Sequence, residues 1–128
     1  MKKVLLAFSC LLIIVDVYSQ STPKVITTNS EKEVIPEGIT INPSNGTIYV
    51  SSIALKKILA INSDGSHKDF IKTGEHDFLE GVGIKIDPQS QLLWTVSNQK
   101  QGNGSISFVH AFDLKTGAVK QKYEIKDS

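Results

Sequence analysis

Residues 38–52 read GITINPSNGTIYVSS, and residues 83–97 read GIKIDPQSQLLWTVS. The two stretches align without a gap, Gly38 over Gly83, at an offset of 45 residues. Each reads as a strand, a tight turn and a second strand. In the first, Ile39 and Ile41 alternate with polar residues, residues 42–46 carry turn chemistry, and Thr47 to Val50 are β-branched or aromatic. In the second, Ile84 and Ile86 alternate, residues 87–91 turn the chain, and Leu92 to Val96 form the return strand. Pro43 and Pro88 both fall between strands, where a missing N–H costs no ladder hydrogen bond.

Working outward, a third strand follows in each copy, at 58–62 and 108–113, and each ends in a glycine turn, at Asp64-Gly65 and at Thr116-Gly117. Fourth strands are expected at about 67–72 and 119–125. The offset grows to 51 between the third strands because residues 99–104, QKQGNG, lengthen one loop. A period of about 40 to 45 residues is that of one β-propeller blade. Strands at 48–50 and 92–96 carry apolar groups on both faces, as a sheet packed between two neighbouring sheets requires. A sandwich explains short, evenly spaced strands but not the repeat itself.

The expectation is therefore an all-β chain: two four-stranded antiparallel blades, residues 37–79 and 80–128, forming part of a propeller. Residues 20–36 are expected to hold a closing strand and linker, because 24–28 precede the first repeat as 68–72 precede the second. Propellers have about four to eight blades. The remaining blades are expected from further C-terminal sequence or from other copies of the chain, since two blades alone leave two apolar faces bare.

At the N-terminus, Lys2 and Lys3 precede an apolar run from Val4 to Val15, and a cleavage site follows before Gln20. The run is about 12 residues long, against the 18 to 20 of a membrane-spanning helix. Residues 1–19 thus read as a signal peptide, and the protein as secreted or periplasmic, with no membrane association after removal. Lipid attachment at Cys10 fits less well, because the apolar run continues past it. All 14 basic residues are lysine, and after removal of residues 1–19 lysines and acids balance. Without arginine forks or a basic surplus, nucleic acid is not an expected partner.

The segment Pro36-Glu37-Gly38-Ile39, with Asn42-Pro43 and residues 46–50, resembles the opening blade of the family that groups senescence marker protein, gluconolactonase and luciferin-regenerating enzyme. Gly83-Ile84, Asp87-Pro88, Leu93-Trp94 and residues 111–117 continue the likeness, which spans about residues 24 to 128. Strictosidine-synthase-like and NHL-type propellers share much of the pattern. The resemblance implies a six-bladed propeller whose channel holds one divalent cation, calcium in many members. It also implies hydrolysis of a small-molecule substrate, a sugar lactone or related ester. By the same resemblance Glu37 is a metal ligand, with the other ligands in later blades. A hard cation takes about six to eight oxygens, so one carboxylate is insufficient by itself. The competing reading of Glu37 is a solvated carboxylate in an interblade loop.

Glu75, His76 and Asp77 with Glu80 form the densest polar cluster, in the loop leading to the second blade, and are candidates for a channel-mouth binding loop. Their spacing matches neither an EF-hand nor a zinc site, and solvated acidic loops are common. His110 alternates with Val109 and Ala111 along a strand and reads as packed rather than as a base. No serine has a recognisable His and Asp partner. The alternative function is a non-catalytic propeller that binds protein, peptide or glycan.

Overall fold

The computed structural model describes residues 24–28 and 31–126; the expected signal peptide lies outside them. The chain forms two four-stranded antiparallel sheets, each a simple meander. The first contains β1 (Pro36–Ile41), β2 (Ile48–Ser52), β3 (Lys57–Ile61) and β4 (His67–Ile71), in that spatial order. The second contains β5 (Glu80–Asp87), β6 (Leu92–Gln101), β7 (Gly104–Asp113) and β8 (Val119–Lys126). A short 3₁₀ turn, Glu75–Asp77, joins them, and no other helix occurs among the described residues. Neither sheet closes on itself.

The repeat is kept in backbone detail. After β1, the Asn42 side chain accepts from the Ser44 N–H at 3.0 Å, and Gly46 takes φ 74°. After β5, Asp87 accepts from the Gln89 N–H at 3.0 Å, and Gln91, at the place of Gly46, takes φ 54°. An Asx side chain two residues upstream thus closes each turn, and one left-handed residue completes it. Both first strands carry the same bulge. The register shifts between Pro36 and Gly38, leaving Glu37 unpaired, and again between Gly81 and Gly83, leaving Val82 unpaired.

Two sequence expectations change. Residues 99–104 do not form a longer loop; they lengthen the hairpin, with Gln99 opposite Ile106 and Gln101 opposite Gly104. Gly102, at φ 57°, supplies the positive φ that a two-residue hairpin turn demands, so the extra residues go into ladder. Residues 24–28, expected as a closing strand, are not in a strand. A strand needs an edge to pair with, and among the described residues neither four-stranded sheet takes this segment as a fifth strand. Instead Thr27 Oγ1 donates to the Gly65 carbonyl at 2.8 Å.

The sheets pack face to face with β1 beside β5. Tyr49, Ile58, Ala60 and Ile71 of the first meet Ile86, Leu93 and Phe112 of the second in one hydrophobic core. Phe70 bridges them edge-on, its ring 5.0 Å from Tyr49 and 6.5 Å from Phe112. These are opposite faces of the repeat. Tyr49 and Ala60 are paired residues, and their counterparts Trp94 and Ala111 are paired on the far side of the second sheet. The stacking is therefore head to tail. One face of the repeat presses on the opposite face of the next.

Candidate functional site

Glu37 owes its position to the bulge. As the unpaired residue of β1 it is exposed, and it stands at the rim of a groove of about 580 Å³ on the outer face of the first sheet. Val34, Ile39, Val50 and Leu59 line the groove, and Glu31 borders it. Two carboxylates thus flank an apolar floor. Glu31 is already engaged by Lys57, which also holds Asp69 at 2.9 Å. Burial pulls the Lys57 pKa down, but hydrogen bonds and charge from the two carboxylates outweigh it and hold the ammonium above its usual value. Lys57 opens the strand directly after Lys56, so the sequence does not set it apart as the lysine that makes both bridges.

The cluster at 75–80 is built from local backbone needs. Glu75 accepts from the Lys72 N–H at 3.0 Å, closing the turn that precedes it. His76 and Asp77 both hold positive φ, 60° and 62°. Asp77 pairs with Lys122 at 2.6 Å, and that hydrogen bond lowers its pKa. Glu80 opens β5 opposite Asn98 and is half-buried. Two of the three carboxylates in this group are therefore bound by the chain's own donors.

His110 holds this turn down. Its Nε2 lies 3.0 Å from the His76 carbonyl, its ring stacks on Phe112 at 5.2 Å and 7°, and it is fully buried. Burial, first, pushes its pKa down, and the nearby Lys122 and His76 charges add to that. With Nε2 donating to a carbonyl, the neutral ring leaves Nδ1 a buried lone pair with no partner; Ser51 Oγ is likewise unpartnered. Reading His110 as a packed strand residue gave its burial but not the tether, because the partner is a main-chain carbonyl 34 positions away.

Glu37 is not gathered with Glu75, His76, Asp77 or Glu80. Among the described residues no three His, Cys, Asp or Glu side chains converge as metal donors. The described residues alone do not supply the donor set of a calcium ion, which takes about six to eight oxygens. The carboxylate at Glu37 is a single donor of the right chemistry. None of the helices among the described residues is long and apolar enough to cross a membrane. Compared with protein-family models and with curated proteins, the chain finds no match.

Proposed function

We propose that this chain is part of an exported, gluconolactonase-like β-propeller: a metal-dependent hydrolase of a sugar lactone or related ester, in which Glu37 supplies one oxygen to a channel cation. Head-to-tail stacking of two equivalent sheets, first strand beside first strand, supports the propeller. The single observation that carries the site is the bulge at Glu37, which frees one exposed carboxylate from the ladder at the start of the first strand. The remaining ligands belong to further blades. Residues 37–79 and 80–128 would then be two consecutive blades, with calcium as the expected ion and a small molecule as the substrate.

Calorimetric titration of the assembled propeller with calcium, before and after Glu37→Gln, tests this reading. The expected result is a loss of roughly 10- to 100-fold in affinity, because one charged ligand is neutralised. Unchanged affinity would remove Glu37 from the site.

A second reading, a non-catalytic propeller that binds protein, peptide or glycan, has its own support. The bulge residue of the second sheet is Val82, so the repeated position carries a carboxylate only once in these two sheets. Absence of calcium binding together with an intact ring would favour it.

A further inference from the structure

The two outer faces of the molecule are copies of the two faces already pressed together inside it. Within the interface, Ile58 pairs with Ile71, and Ile71 is 1% exposed. Their counterparts are Val109 and Tyr123, also paired, but Tyr123 is 54% exposed on the outer side of the second sheet. On the other side, Ile86 is 7% exposed against the first sheet, while its counterpart Ile41 is 57% exposed and Ile39 is 70% exposed. Trp94, at the place of Tyr49, has no sheet against it among the described residues.

Glycine tells the same story. A Cβ at Gly38 would lie 2.8 Å from Ser51 Oγ and 2.9 Å from Ile84 Cγ2, so β5 approaches the backbone of β1 directly. The counterpart, Gly83, has nothing within 4 Å. The smooth site is present, and among the described residues no strand lies on it.

Each sheet also carries a connecting segment on the same face, held by different contacts. Residues 76–79 cross the inner face of the second sheet, where the His76 carbonyl meets His110. Residues 31–34 stand before the first sheet at the same repeat positions, where Glu31 meets Lys57. A sheet docking on Ile39 and Ile41 would therefore find its connecting segment already in place. Residues 24–28, which would compete for a fourth-strand position, lie against Gly65 instead.

We infer that the chain associates with further copies of itself, head to tail, the Trp94–Tyr123 face of one copy seated on the Ile39–Ile41 face of the next. The contact repeats the geometry of the intramolecular interface. It is heterologous, so each copy offers one donor face and one acceptor face, and the series closes into a ring when the rotation per copy divides a full turn. The inference is independent of any catalytic role for Glu37.

Two exposed substitutions, Ile39→Lys and Tyr123→Lys, block one face each. Sedimentation equilibrium of the full chain is expected to give a defined multiple of the monomer mass. Each variant alone is expected to be monomeric, with association weakened roughly a hundredfold or more by loss of apolar contact and burial of a lysine. Mixed in equal amounts, the two variants each retain the face the other lacks, and are expected to form a one-to-one dimer that grows no further. Circular dichroism of each variant confirms that the sheets persist, and Ile39→Thr and Tyr123→Thr serve in place of a lysine variant that fails to fold. A monomeric wild-type chain overturns the inference. So does association that survives either substitution, as self-pairing of one face or general stickiness would, and so does a mixture that stays monomeric.

Discussion

The two sheets are one pattern in two environments. The face of the second sheet that bears Leu93, Thr95, His110 and Phe112 is covered by the first sheet and by Phe78, and all four residues are at most 2% exposed. The same repeat positions in the first sheet hold Ile48, Val50, Leu59 and Ile61; the last three line the groove with Glu31 and Val34, and Val50 and Leu59 are buried there without a facing sheet. Both sets are apolar or nearly so, although only one is covered by a sheet. A broad apolar face is a liability unless something covers it, and the difference teaches that one strand pattern accepts either a sheet or a connecting segment as its cover.

The largest test of that contrast is a pair of truncations at one repeat position. Phe112 is fully buried among Phe70, Phe78 and His110, so Phe112→Ala is expected to destabilise by about 3–5 kcal/mol in urea unfolding. Ile61→Ala, beside the groove and only partly buried, is expected to cost about 1 kcal/mol at concentrations where the chain is monomeric. Equal losses would mean that the first sheet is as well covered as the second.

The next contrast is at glycine. Gly38→Ala forces a Cβ into Ser51 and Ile84 and is expected to cost about 1–3 kcal/mol. Gly83→Ala meets open space, so the isolated chain is expected to change by less than about 0.5 kcal/mol. The same substitution is expected to weaken association between copies, because the docking strand would meet it as β5 meets Gly38. A Gly83→Ala chain that associates as the wild type does would break the equivalence of the two faces.

Much of the scaffold is legible in the sequence. The 45-residue offset located the first two strands of each sheet, and the glycine turns at 65 and 117 marked the ends of the third. Two features were not legible, for physical reasons. A glycine-containing insertion reads the same whether it loops out or lengthens a hairpin; the choice lies in whether flanking residues such as Gln99 and Ile106 find each other. Residues 24–28 have the composition of a strand, but strand formation depends on a neighbouring edge that local sequence does not encode. At the candidate site, Glu37 could be picked out by its motif, and its exposure at a bulge follows from the register shift. Lys57 and His110 owe their roles to partners at 31 and 76, which periodicity does not identify.

The smallest effect concerns the one position where the covered face carries a titratable ring and the open face carries Leu59. Free histidine titrates at about 6.5, and burial holds His110 below that in the folded chain. The groups that face it are Lys122 and His76, whose charges push the same way, and Asp77, which opposes them; the His76 carbonyl favours the protonated ring. Burial dominates, so the folded chain keeps His110 neutral over a pH range in which the unfolded chain has already bound a proton. Stability is then full above about pH 6.5 and is lost progressively as pH falls from there toward the lower folded-state value. The slope belongs to His110 if His110→Leu, which installs the residue of the sister sheet, flattens it. At pH 7.5 the variant is expected to lose about 1 kcal/mol with the hydrogen bond to the His76 carbonyl. At pH 5 that deficit is expected to shrink or reverse, since the leucine has no proton to exclude and no unpartnered Nδ1 to bury. Thermal melts of both chains from pH 5 to 7.5 decide it: two parallel curves would assign the acid sensitivity to another group and leave His110 as packing alone.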